Sequence, residues 1–133
     1  MKFIYLIFVF CFLQLVSYST QNQVINSDEI NNLSFEPDEN GEYDIIVLDP
    51  QYDIYLKTIA RPKSYYTESY YKSKNRIYST IWNQRHLNPL SYNPNIYAVS
   101  INLNPNINYG LNFEYKLYHF FKFMEWKNKI HFT

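Results

Sequence analysis

A chain of 133 residues with 12 basic and 12 acidic side chains and no formal net charge leaves room for one domain. It lacks the basic excess with which a nucleic-acid-binding protein meets a phosphate backbone. One cysteine and two glycines exclude an internal disulfide framework and a zinc–thiolate cluster and argue against a glycine-rich phosphate loop, whereas an aromatic content of 20% supplies ample material for a core.

Met1 to Ser19 opens on Lys2, runs apolar from Phe3 to Val16, and ends in Ser17 and Ser19 at the small-residue positions of a cleavage site. That layout predicts an export signal over residues 1–19. The run is shorter than the roughly 20 apolar residues of a spanning helix. Contact with a membrane is therefore expected only through the leader, if it stays uncleaved or is lipidated at Cys11. After cleavage the exported chain would hold no cysteine.

Residues 20–42 are polar, rich in Asn, Asp and Glu, with one turn signal at Pro37, and are expected to form a flexible acidic tether. Order is expected from Tyr43, in a single domain over residues 43–130. "YDIIVL", Tyr43 to Leu48, is β-branched and apolar and predicts a first strand. Asp49 before Pro50 predicts a helix start, and Tyr52, Tyr55, Leu56 and Ile59 recur on one helical face until Pro62 ends it. A second helix is expected from about Glu68 to Leu87, capped by Ser64 or Thr67 and closed by Asn88–Pro89.

Three Asn–Pro pairs then mark turns, and Asn-Pro-Asn-Ile occurs twice, from Asn93 and from Asn104. Between the copies Tyr97, Val99, Ile101 and Leu103 alternate with smaller or polar residues, the pattern of a half-buried strand. A last helix is expected from about Leu111 to Asn128. The expected fold is a small α+β domain in the order β-α-α-β-α, a two-stranded sheet packed by helices.

On the second helix, Ile77, Tyr70, Ile81, Tyr78, Tyr71 and Trp82 fall within an arc of about 140°, the expected core stripe, with Lys72, Arg76, Ser79 and Asn83 facing solvent. Lys74 and Arg85 project into the aromatic arc. They either lie over ring faces with their stems along the helix, or join Arg61 and nearby tyrosine hydroxyls in a shallow site for a carboxylate, phosphate or sugar. The candidate ligand-binding residues are Arg61, Tyr65, Tyr66, Lys74, Trp82 and Arg85. On the last helix, Phe113, Leu117, Phe120, Phe121 and Met124 form one face and Tyr115, Tyr118 and Trp126 another, so that helix is either covered twice or exposes an aromatic partner surface.

Charge is segregated along the chain. Asp28 to Asp53 holds nine acids and no base, and Lys57 to Arg85 holds seven bases and one acid. Either the acidic segment docks on the basic one, or the basic face meets an external anion. Catalytic constellations are sparse. His86, His119 and His131 are far apart and none has metal-ligand spacing, so no metal, cofactor or catalytic residue is expected.

The strings "YDIIVLDP", "ARPKSYYTESYYKSKNRIYSTIWNQR" and "NPNINYGLNFEYKLYHFFKF" resemble an uncharacterised family of short exported Bacteroidetes proteins, a domain of unknown function that often carries lipoprotein-type signals. The resemblance covers about Tyr43 to Met124 and implies a bacterial envelope location, but no activity, cofactor or site. This chain departs from the lipoprotein pattern, since Phe10 precedes Cys11 and apolar residues continue after it. The reading is therefore an exported protein of the periplasm or cell envelope, a non-enzymatic binding or assembly module whose partner is an envelope anion, a glycan or a protein. The alternative is a small hydrolase of envelope polysaccharide using carboxylates among Asp44, Asp49, Asp53 and Glu68.

Overall fold

The computed structural model of the protein describes residues 32–33 and 35–133. The expected leader with Cys11, its cleavage point and the first part of the acidic tether lie outside the described residues. Three α-helices dominate the rest, forming one small, mostly helical unit: α1 (Pro50–Thr58), α2 (Glu68–His86) and α3 (Gly110–Asn128).

Their boundaries follow local chemistry. Asp49 accepts a hydrogen bond from the Gln51 amide at 3.0 Å, with Pro50 at the first helical position. Of the two caps considered for α2, Thr67 serves: its hydroxyl accepts from the Tyr70 amide at 3.2 Å, while Ser64 sits in a 3-10 turn over Lys63–Tyr65. The two Asn-Pro-Asn-Ile copies fold alike. In each, the first Asn side chain accepts from the amide two residues on, at 3.0 Å for Asn93 and 2.9 Å for Asn104, and its carbonyl accepts from the isoleucine amide. Both isoleucines, Ile96 and Ile107, then pack against the core. At the other end Lys129 adopts a left-handed conformation (φ 55°) that closes α3, and the chain turns back to bury Phe132.

Of the two expected strands, only the second contributes to extended pairing, and only through Ser100–Ile101. Tyr43 to Leu48 takes no strand structure; its burial alternates, Ile45 and Val47 inward and Ile46 and Leu48 outward, but no neighbouring strand pairs with it among the described residues. Among the described residues, extended pairing is limited to two residues a side, β1 (Asn32–Leu33) running parallel to β2 (Ser100–Ile101). The period-two pattern reported a segment half-buried against helices, which alternates in the same way as a sheet strand. The core also reaches upstream of Tyr43: Phe35 is buried, edge-on to Phe113 at 4.7 Å.

α3 is the central element, covered on both sides. One side meets α2 through Tyr71, Tyr78, Trp82, Phe113, Leu117, Tyr118 and Phe121, and the other meets α1 through Tyr52, Tyr55 and Phe123. Tyr52 donates from its hydroxyl to the Lys116 carbonyl at 2.6 Å. Trp126, 44% exposed, is the most exposed ring on that helix and lies tilted against Tyr55 at 5.8 Å.

The buried stripe of α2 differs from the expected one. It runs through Tyr71, Asn75, Tyr78, Ser79 and Trp82, whereas Ile77 is exposed and Tyr70 and Ile81 lie at its edge. On a helical wheel this is a rotation of roughly 75° from the aromatic arc. Ser79 is therefore buried rather than solvated. Asn83 is half-buried and clamps β2, donating to the Ile101 carbonyl at 2.9 Å and accepting from the Ile101 amide at 2.8 Å.

Candidate functional site

The six residues singled out from sequence separate into two places, since Tyr70 and Arg85 stand about 22 Å apart along α2 at 1.5 Å per residue. At its N-terminal end, cations and rings form a ladder. The Arg61 guanidinium lies 4.3 Å from the centre of the Tyr65 ring, Tyr65 stands edge-on to Tyr66 at 4.6 Å, Tyr66 stacks on Tyr70 at 4.0 Å, and Lys74 Nζ lies 5.8 Å from Tyr70. Tyr70 and Lys74 meet by their four-residue spacing on α2, whereas Tyr66 reaches Tyr70 from the extended chain just before the Thr67 cap. Arg61 and Tyr65 are exposed, Tyr66 and Lys74 half-buried.

Trp82 and Arg85 lie elsewhere. Trp82 is 2% exposed, its indole donating to the Val99 carbonyl at 2.7 Å. Arg85 donates to the Tyr97 hydroxyl at 2.8 Å and to the His131 carbonyl at 2.6 Å, and its guanidinium lies 5.2 Å from Phe132 and 5.3 Å from Tyr92. These two residues tie the central loop and the C-terminal tail to α2.

A feature that sequence reasoning passed over lies beside the ladder. Between the end of α1, the loop before α2 and the middle of α3 is a cleft of about 180 Å³, bordered by Tyr55, Arg61, Tyr66, Tyr118, His119 and Lys122. His119 is 4% exposed, boxed by Tyr115 (4.6 Å between ring centres), Tyr118 (5.1 Å), Tyr55 (6.1 Å) and Tyr71 (6.5 Å). Neither ring nitrogen has a hydrogen-bond partner among the described residues. Burial, with a smaller contribution from the Lys122 charge, lowers its pKa from the ordinary value to about 4, so the ring is neutral at physiological pH. An unsatisfied buried polar group costs about 1–3 kcal/mol, and folded proteins keep few of them. Lys122 at the cleft's border pairs with Glu125. The only sequence signal for this place was a histidine among tyrosines at helical spacing, Tyr115, Tyr118 and His119, which metal-ligand patterns do not register.

Two of the four carboxylates of the hydrolase alternative, Asp44 and Asp49, are engaged elsewhere. Asp44 pairs with Lys116 at 2.7 Å, and Asp49 both caps α1 and pairs with Lys127. The Lys127 bond and the Gln51 amide hold the Asp49 carboxyl below its usual range, as an ion. The carboxyl that burial does push upward is Glu114, bonded to Asn75 inside the core. No cluster of three or more His, Cys, Asp or Glu suited to a metal occurs among the described residues, and no described helix is long and apolar enough to cross a membrane.

Residues 4–133 match a family model described only as of unknown function, DUF6146. The chain belongs to that family. No curated protein and no solved structure matches it. Membership of DUF6146 spans the helical unit and brings no assigned residue, so the site rests on the geometry of this chain.

Proposed function

We propose that the domain is a non-enzymatic binding module of the cell envelope, and that its partner is an anionic glycan met by the N-terminal half of α2 and the loop before it. The observation that carries this reading is the pairing of charge. Among the described residues, the acids of the Asp28–Asp53 segment that form ion pairs, Asp44 and Asp49, do so with Lys116 and Lys127 of α3. None of the seven cations from Lys57 to Arg85 has a described carboxylate within ion-pair distance. Their field is left to attract an outside anion, and the ring ladder offers apolar faces beside it. The composition of residues 1–19 supports export.

The test uses the protein in its naturally processed form, titrated with polygalacturonate and with uncharged dextran at low and high salt. Saturable binding to the acidic polymer alone, weakened by salt and by combined Arg61→Gln, Lys63→Gln and Lys74→Gln substitutions, is expected. Equal binding of dextran, or no effect of the triple substitution, would refute the reading, and release of shortened glycan would favour the hydrolase.

A further inference from the structure

We propose that the groove between α2 and the chain running from β2 to Pro105 seats one uronate, a carboxylate-bearing pyranose of the acidic glycan, with its carboxylate on Arg76 and a hydroxyl on Thr80. This rests on the anionic-glycan reading and names the unit that the module recognises and the place that holds it.

The groove has a volume of about 410 Å³, within the roughly 300–1,000 Å³ of small-molecule sites. One wall is polar. Arg76, Ser79, Thr80 and Asn83 follow one another at the three- and four-residue spacing that lines up side chains along a helix. The facing wall includes Ile101, Leu103 and Pro105. This polar stripe lies on the side of α2 away from the ring ladder, since Arg76 stands about 200° from Lys74 on the helical wheel.

Hydrogen-bond accounting along that wall defines what the groove still offers. The Asn83 amide is spent on both backbone groups of Ile101, which closes this edge of β2 to an added peptide strand. Ser79 and Thr80 each donate their hydroxyl proton to the Arg76 carbonyl, at 3.1 and 2.8 Å, so both oxygens are left only to accept. Thr80 is exposed and Ser79 buried. Arg76 is exposed, gives one terminal nitrogen to the Pro105 carbonyl at 3.3 Å, and has no described carboxylate within ion-pair distance. Its planar fork keeps further N–H groups for a second partner.

The wall therefore donates at Arg76 and accepts one helical turn further on, at Thr80. A ligand that answers both carries an anion with a hydroxyl donor beside it. A bare carboxylate answers the first alone, and a neutral sugar the second alone. Among the described residues lining the groove Arg76 is the only charged one, which matches the single charge of a carboxylate rather than the nearly double charge of a phosphate monoester. None of those residues is aromatic, so a planar base finds no ring to stack on, whereas Leu103 and Pro105 suit the C–H face of a pyranose.

The decisive measurement follows the Arg76 Nε–H and the backbone amides of Thr80 and Leu103 by NMR in the processed protein, with the Tyr65 and Tyr66 amides as markers for the ladder. D-galacturonate, D-galactose, acetate and polygalacturonate are added in turn. Galacturonate is expected to move the groove resonances at lower concentration than galactose or acetate, and polygalacturonate to move both sets. Arg76→Gln should reduce galacturonate affinity to that of galactose, with Arg76→Lys, which keeps the charge without the fork, between the two. Thr80→Val keeps the side-chain shape, leaves the Arg76 bond to Pro105 untouched, and should weaken galacturonate binding about threefold to tenfold. Acetate or galactose acting as well as galacturonate, full affinity in Thr80→Val, or groove resonances unmoved by galacturonate while polygalacturonate still binds, would overturn this assignment and leave the anionic-glycan reading standing. If neither monomer nor polymer binds, both fall.

Discussion

Asn75 of α2 donates from one amide nitrogen to two acceptors on Glu114 of α3, the backbone carbonyl at 2.8 Å and the carboxylate at 2.7 Å, with both residues sealed in the aromatic interior. This pair sets how α2 faces α3, because a buried amide and carboxyl must answer each other while the rings on either side tolerate many orientations.

Asn75→Leu leaves the Glu114 carboxyl buried without its donor and should lower stability by about 2–3 kcal/mol in urea unfolding at pH 7. Glu114→Gln keeps an acceptor for Asn75. Burial raises the Glu114 carboxyl in the fold, so the stability it contributes is present below its ordinary unfolded value and is lost as pH rises through the folded one. Glu114→Gln should accordingly be at least as stable as the parent at pH 7, with any gain vanishing near pH 4.

For His119 the sign is opposite. Its folded pKa of about 4 lies below the ordinary 6.5, so between those values the unfolded chain binds more protons and stability falls as pH falls. The charged or titratable groups around it are Tyr55 on α1, Tyr71 on α2, Tyr115, Tyr118 and Lys122 on α3, and Arg61 beyond α1. Of these, Lys122 reinforces burial in opposing a second positive charge. Unfolding midpoints from pH 7 to pH 4 should decline more steeply for the parent than for His119→Phe, a difference of at most about 3 kcal/mol. Parallel curves would show that the ring is not held neutral.

Trp82→Ala should cost about 3–5 kcal/mol by opening a cavity in the core. Trp82→Phe keeps one ring but removes the indole bond to the Val99 carbonyl and part of the buried volume, and should cost less, about 1–3 kcal/mol. Chemical denaturation of the two variants measures both losses.

Arg85→Ala removes the bonds to Tyr97 and His131 and should lower stability by about 1–3 kcal/mol while leaving polygalacturonate binding unchanged. Full stability with lost affinity, measured by thermal unfolding and calorimetry, would instead place a ligand at that end of α2.

Phe35→Ala should cost about 3 kcal/mol, because this ring is edge-on to both Tyr109 and Phe113. Unchanged thermal stability would mean that the chain before Tyr43 contributes nothing to the core.

What sequence alone determined were the helices and turns, because their signals are local. Asp49 before Pro50, Thr67 before Glu68 and the paired Asn-Pro-Asn-Ile turns act through bonds spanning two or three residues. Tertiary structure decided what those elements face. The hydrophobic arc of α2 contained Ile77 and omitted Asn75, yet Asn75 is buried because its partner Glu114 lies on another helix. Tyr43 to Leu48 carried a strand's alternation, but a strand also needs a neighbour, and its inward residues found helices instead. Lys74 and Arg85 shared one arc but stand at different ends of the helix, one over Tyr70 and the other holding the C-terminal tail. The His119 cleft exists only where three separate stretches of chain meet. Backbone capping is settled within a helical turn, whereas burial, ion pairing and a histidine's isolation depend on residues dozens of positions away, and composition and periodicity do not encode which of those will be adjacent.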